Sequence, residues 1–573
     1  MNYKNIEMIT SLLKEHQINN LIISPGGTNI PLVKAVQNDK FFNCYSVVDE
    51  RSAAYFAIGI YLQTGKPVAL ICTSAQATRN YIPGLTEAFY KKVPILAITM
   101  EKHPRFKYQE YMQAPDQTSL PKDSVKKSIE LPFIRDINDI YHSRRLINEA
   151  ILELKNNEYG PVQLCVPWLD FKITEIIPKD NIIKRFSVNE ISKFDLTDKK
   201  ILIIIGEHRP FDNEEKKAID FFCKNTNSAI YTNHLSNFSN DYSINGNLLL
   251  STINESTFEK IKPDIIITIG GQTGDYPLYL RFSKTEYSDI ENWRISLDGN
   301  IVDTYDKLKY VFKGEIKDFF LNVKNATINH TYYKLWKDET DRLNTDVSVP
   351  FSNVSIAKHL HNKLPKDSII QFSILNSLRV WNLFDLNPNI ECYSNVGAFG
   401  IDGGMSTLIG QSVITDKLSL MIIGDLAFYY DMNSLGIRHI KNNLRILIIN
   451  NNGGIEFKLN GEDNKETNKF IAAAGHYKKS KGWAEDCGFK YISAINMEEF
   501  KNISEEFLAE SNKPIVLEAF ISDLDESVAY KTLIEANKIL TKKEKIKRNL
   551  KASVKKIIGE EKLNKIRKIR RLK

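Results

Sequence analysis

The sequence predicts an α/β protein built from three doubly wound parallel-sheet domains, followed by a basic amphipathic C-terminal tail. Three observations predict it. Short β-branched runs recur along the chain, and most are apolar without alternation, as strands buried on both faces are. Stretches with helical spacing separate these runs, which is the βαβ order of a parallel sheet. At 573 residues the chain also exceeds what one hydrophobic core can serve.

The strand-like runs are LIIS (21–24), PVALICTS (67–74), PILAITM (94–100), PVQLCVP (161–167), ILIIIG (201–206), DIIITIGG (264–271), LMIIGD (420–425), RILIIN (445–450) and PIVLEAF (514–520). Helices are expected at 51–64, 80–91, 213–224, 354–363 and 431–441. Polar stretches at 176–200 and around 324–352 interrupt the pattern. They divide the chain into domains at 1–175, 195–330 and 350–540, with the tail at 541–573.

Composition excludes several classes. Apolar residues make up 42% and charged residues 26%, an ordinary globular balance rather than a disordered one. No apolar run is long enough to span a bilayer, and the start lacks the apolar core of a signal peptide. Six cysteines are scattered with no CxxC pair, so reduced thiols are expected, not a disulfide or metal framework. The expected location is cytoplasmic. The net charge of +7 hides an asymmetry. Residues 541–573 hold fifteen Lys/Arg and three Glu, a net +12, which leaves the rest at −5. Nothing in that mildly acidic body suggests nucleic acid.

The chemistry concentrates in MIIGDLAFYYDMNSLGIRHIKNNLRILIINNNGG (421–454). One buried strand ends in Gly424-Asp425, a helix opens with Leu426 and Ala427, and a second strand ends in Asn450-Asn451-Asn452-Gly453-Gly454. In a parallel sheet both strand ends lie on the edge where ligands bind. A carboxylate, an amide oxygen and a glycine carbonyl suit a hard octahedral cation whose shell substrate phosphates and water complete. The helix start offers N–H groups to those phosphates. Taken singly, each piece is also an ordinary turn. Together, bracketing one helix, they indicate a Mg²⁺–diphosphate site.

A second piece is SVVDERSAAYFAIG (46–59). Glu50 ends a short apolar strand and opens a helix whose inner face is small and apolar (Ala53, Ala54, Ala57, Ile58). Acidic residues in a first turn often only offset the helix dipole, and Asp49 and Glu50 are both open to that reading.

These segments occur in a fixed order with SPGG (24–27), TSAQATRNYIPGLTEA (73–88) and SNVGAFGIDGGMST (394–407). That series resembles thiamine-diphosphate enzymes of the acetolactate synthase and pyruvate decarboxylase type. Within them it is similar to the menaquinone-pathway synthases that join 2-oxoglutarate to isochorismate. The resemblance covers nearly all of residues 1–540. It implies thiamine diphosphate with Mg²⁺ (or Mn²⁺), and a metal held by Asp425, Asn451 and the Gly453 carbonyl. It also implies that Glu50 hydrogen-bonds N1′ of the aminopyrimidine, and that Ile401 is the bulky residue bending the cofactor. Gly424, Leu426, Ala427, Ala75 and Asn80 complete the implied cofactor-binding set. Glu50 and Asp425 fall in different domains, which in this superfamily come from different subunits. A homodimer or homotetramer with interfacial sites is therefore implied.

The sequence departs from that family where substrates would bind. Arginines of the family's motifs fall on Thr28, on Val396 and near Trp381, with Arg379 two residues away. Gln76 replaces a smaller residue beside the cofactor, and Gln113 matches a family glutamine near the substrate. Losing two arginines should cost several kcal/mol for a dicarboxylate, at about 1.5–3 kcal/mol per charge-assisted hydrogen bond. The expected activity is a decarboxylating carboligase acting on a 2-oxo acid and an acceptor. The alternatives are a 2-oxo acid decarboxylase or lyase, the menaquinone synthase itself, and a non-catalytic cofactor-binding subunit. The middle domain resembles the degenerate Rossmann-like centre of these enzymes and has no GxGxxG, so flavin is not expected. In the tail, apolar residues recur at helical spacing opposite a Lys/Arg face, readable as a solvated helix or disordered tail, as contact with an anionic membrane surface or acidic partner, or as RNA binding.

Overall fold

The computed structural model describes residues 4–168, 183–459 and 475–539; the tail lies outside them. Among the described residues, three large all-parallel sheets form three α/β units, beside one two-stranded parallel pair. In the first, the strand order is Asn43–Ser46, Asn20–Ile23, Val68–Cys72, Ile95–Glu101, Val162–Pro167, Lys127–Glu130. The third runs Glu391–Ser394, Ser368–Phe372, Leu418–Gly424, Leu444–Asn450, Ile515–Phe520, Lys490–Ala494. Numbered within each unit, both orders read 2-1-3-4-6-5. The central strands are buried along their whole length, as their unbroken apolar runs require. The short apolar strand expected to end at Glu50 lies instead at Asn43–Ser46 and alternates exposed and half-buried, because it is the edge of its sheet.

The middle sheet has seven strands, with Ile201–Ile205 and Ile265–Ile269 at its centre. One edge strand, Lys184–Ser187, falls in the polar stretch read from sequence as a connection. It is almost wholly exposed, so burial left no apolar signature on it. This unit is tied to the first by a bidentate Arg294–Glu110 pair at 2.7 and 3.1 Å.

Helices fall where periodicity predicts them at Glu50–Thr64, Ile82–Tyr90, Asn213–Asn225 and Asn353–Leu360. Gly65 ends the first in the left-handed region at φ 62°. The expected helix at 431–441 is displaced. The chain is instead helical over Asp425–Asp431 and continues as a 3₁₀ turn through Met432–Gly436. The Ser434 hydroxyl donates to the Asp431 carbonyl at 2.7 Å, offering the backbone a tighter local bond than another α-turn. All six cysteines are free thiols. Among the described residues, no helix is long and apolar enough to cross a membrane.

Candidate active site

The carboxyl ends of the first and third sheets face a shared cavity of about 340 Å³. Residues following five strands line it: Pro25, Val48, Thr73, Ser373 and Asp425. Parallel strands deliver every such turn to one edge, so the topology assembles the site.

From the first domain comes Glu50, buried at the start of its helix. Its neighbour Asp49 performs the capping, accepting from Ser52 N at 3.0 Å, so the two acidic residues have separate roles. Glu50 Oε2 accepts from the Tyr430 hydroxyl at 2.5 Å, and Asn80 Nδ2 donates to that hydroxyl oxygen at 2.8 Å. Burial without a cation raises the Glu50 carboxyl to about 7, partly offset by the Tyr430 bond.

Tyr430 belongs to the third domain, so this chain by itself joins both halves of the cavity.

On the third-domain side, Asp425 is buried and holds the strand-end turn together. Its Oδ1 accepts from Leu426 N at 2.7 Å and its Oδ2 from Gly453 N at 3.1 Å. His476 Nε2 lies 3.2 Å from Oδ2. The other ring nitrogen accepts from Lys478 N at 3.1 Å. Asn451 Oδ1 is buried with no hydrogen-bond partner among the described residues. A buried, unpaired amide oxygen beside a carboxylate suits a cation.

Ile401 lines the cavity and packs against two hydrophobic cores of the third domain. Gly400 beside it must be glycine: a Cβ there would lie 2.2 Å from Asp402 Oδ1 and 2.9 Å from Gln76 Cβ. This close approach brings Gln76 Nε2 to 3.4 Å from Asp402 Oδ2, a second bridge between the domains.

The sequence-predicted residues divide in two. Glu50, Gln76, Asn80, Gln113, Ile401, Gly424, Asp425, Leu426, Ala427, Asn451 and Gly453 line the cavity together. The others do not. Thr28 is buried with its hydroxyl 2.6 Å from that of Thr73. Val396 and Trp381 are core residues, the indole donating to Asn353 Oδ1 at 3.1 Å. Ala75 is buried behind the lining at φ 73°, its N–H held by Gln117 Oε1 at 2.5 Å. That conformation is strained for a non-glycine residue. Arg379 pairs with Glu456.

The thiamine pyrophosphate enzyme family, by its N-terminal TPP binding domain, matches residues 4–120. Along the whole chain, the 2-succinyl-5-enolpyruvyl-6-hydroxy-3-cyclohexene-1-carboxylate synthase of Phocaeicola vulgatus is 32% identical over 544 residues, covering 90% of this chain and 95% of that protein. The synthase of the same name from Bacteroides fragilis is 31% identical, covering 90% and 96%. This chain belongs to that synthase family. That of Flavobacterium psychrophilum is 29% identical, covering 91% and 97%.

As a member of the synthase family the chain is a thiamine-diphosphate enzyme, and its residues fit the cofactor. A buried carboxyl lies on one wall, and the Asp425–Asn451 pair with its unpaired oxygen lies on the other. Sequence reading missed Tyr430, His476, Asp402 and Glu456. Tyr430 sits inside the 421–454 segment but gains its role only by meeting Glu50 of the first domain, while His476 is brought to Asp425 by the folding of the third domain alone.

Proposed function

We propose that this synthase-family chain decarboxylates a 2-oxo acid and joins the remainder to an acceptor, using thiamine diphosphate and Mg²⁺. The observation carrying this reading is that Glu50 and the Asp425–Asn451 pair line opposite walls of one cavity. Thiamine diphosphate supplies an electron sink beside the 2-oxo carbonyl, so that CO₂ can leave and a carbon–carbon bond can form. The chain's own residues bind and orient. Asp425 Oδ2, Asn451 Oδ1 and the Gly453 carbonyl would hold the metal, with Gly424, Leu426 and Ala427 beside the diphosphate. Ile401 would set the cofactor's bend. Glu50 would hold a proton at the aminopyrimidine N1′, which a carboxyl raised to about 7 does well near neutral pH. Tyr430 and Asn80 fix the orientation of that carboxyl.

A specific substrate pair is favoured by likeness. Relatives named 2-succinyl-5-enolpyruvyl-6-hydroxy-3-cyclohexene-1-carboxylate synthase align over nine-tenths of the chain. The reaction those names describe is the first pair to test. Mass spectrometry of products from 2-oxoglutarate with isochorismate, beside a panel of other 2-oxo acids and acceptors, decides. Cofactor-dependent product from no combination would sink the carboligase reading. We place the enzyme in the cytoplasm as a homodimer or homotetramer, with the tail contacting an anionic surface.

A further inference from the structure

Glu518 lies within the strand Ile515–Phe520, opposite Ile448 of the strand that ends at Asn450. It is fully buried, and every hydrogen bond it accepts among the described residues comes from a neutral donor. Oε1 accepts from Asn450 Nδ2 at 2.7 Å. Oε2 accepts from Ser480 N at 3.0 Å, Ser480 Oγ at 2.8 Å and the Tyr491 hydroxyl at 2.8 Å. A glutamate side chain can accept all four. A carboxyl with no cation to pair with still costs free energy to bury, so its place inside a sheet calls for a role.

Its partners define that role. Asn450 adjoins Asn451, and its own amide is used twice more: Nδ2 donates to the Lys478 carbonyl at 3.2 Å, and Oδ1 accepts from Asn452 N at 3.2 Å. The Asn452 carbonyl accepts from His476 N at 3.1 Å, and His476 Nε2 lies 3.2 Å from Asp425 Oδ2. Residues 450–453 and 476–480 are thus stitched to one another, and each stretch is bonded directly to Glu518, through Asn450 and through Ser480. Asn452 turns the chain at φ 62°, a left-handed conformation that asparagine tolerates. Asn451 Oδ1 is left out of this stitching, buried and with no partner among the described residues.

We propose that Glu518 is a positioning residue of the metal site: through Asn450 and Ser480 it holds the 450–453 turn and the His476 segment against Asp425. The proposal rests on reading Asp425, Asn451 and the Gly453 carbonyl as the metal's ligands. Glu518 acts through its neighbours and not by ligation, as groups behind a ligand shell do when they fix its geometry. Glu518→Gln exposes the dependence, because it keeps the shape and turns one acceptor into an NH₂ donor. Facing Ser480, that group would oppose the Ser480 N–H. Facing Asn450, it would make the asparagine amide turn over, which takes Oδ1 from Asn452 N and Nδ2 from the Lys478 carbonyl.

The test is a Mn²⁺ titration of the full chain with thiamine diphosphate, in which free Mn²⁺ is read by electron paramagnetic resonance and no turnover is needed. Glu518→Gln should raise the Mn²⁺ Kd by about tenfold or more, the usual effect of removing a group behind the ligands. Ser480→Ala keeps the backbone bond and loses only the hydroxyl donor. It should weaken Mn²⁺ by about threefold or more, and it serves where the glutamine variant folds poorly. Arg445→Met separates positioning from general stability. Arg445 is buried near the start of the strand that ends at Asn450 and donates to the Phe507 and Ala509 carbonyls, away from the site. That variant should lower the urea midpoint and leave the Mn²⁺ Kd unchanged. An unmoved Kd in Glu518→Gln and Ser480→Ala, or an equal loss in Arg445→Met, overturns the proposal. Asp425→Ala that binds Mn²⁺ as the wild type does overturns the metal reading beneath it.

Discussion

The first and third domains share one strand order, yet the carboxylates they bring to the cavity are in opposite conditions. Glu50 follows an edge strand and is buried with no cation beside it, so its carboxyl stays neutral up to about pH 7. Asp425 follows a central strand and accepts from two backbone N–H groups, with His476 Nε2 3.2 Å away. Donors on a carboxylate favour its charged form, and dry apolar neighbours favour its protonated form. Topology delivers both groups to the same edge. Their neighbours then suit Glu50 to proton handling and tie Asp425 into the strand-end turn.

That contrast can be broken most decisively at Glu50. Replacing it with Gln keeps its shape but removes the titrating group. Exchange of the cofactor's thiazolium C2 proton, followed by NMR, should slow by about 10²–10⁴-fold, the usual worth of a positioned acid–base group. Exchange at the wild-type rate would transfer the role elsewhere, with Asp49 first in line.

The same residue makes a stability prediction in the cofactor-free chain. A carboxyl raised from 4.5 to about 7 on folding contributes stability that is fully present below pH 4.5 and is lost as pH rises through 7. Glu50→Gln should therefore gain on the wild type across that window, by at most on the order of 3 kcal/mol. Urea midpoints at pH 5 and pH 8 measure it, and parallel profiles would mean that Glu50 is not dry in the folded chain.

Asp425→Ala sharpens the other side of the comparison. At a hundredfold excess over Kd, cofactor with Mg²⁺ stabilises a binding protein by about 2.7 kcal/mol, and this variant should lose that increment. An undiminished thermal shift would refute the metal site assigned to the third domain.

The smallest expected effect is outside both domains. Deleting residues 541–573 should leave turnover in solution unchanged. It should also abolish salt-sensitive sedimentation with anionic vesicles, since that attraction is screened over about 8–10 Å at physiological ionic strength. Intact protein that ignores such vesicles at low salt would eliminate the membrane reading of the tail.

The sequence by itself determined the α/β class, the central strands and the residues at their ends. Full burial writes an unbroken apolar run, and a strand end that must turn at a ligand writes Gly424-Asp425 or Asn451-Asn452-Gly453. It misplaced the edge strand Asn43–Ser46 by a few residues and could not mark Lys184–Ser187, because their exposed faces impose no apolar pattern. Nor could it separate Asp49 from Glu50. Adjacent acids look alike until one caps a helix and the other meets Tyr430, 380 positions away. The same holds for Arg379, which by composition is a free cation and by packing is the partner of Glu456. Which groups are free to meet a ligand depends on contacts between residues far apart in the chain, and only the tertiary structure decides those, because burial and partnership are properties of space rather than of order along the sequence.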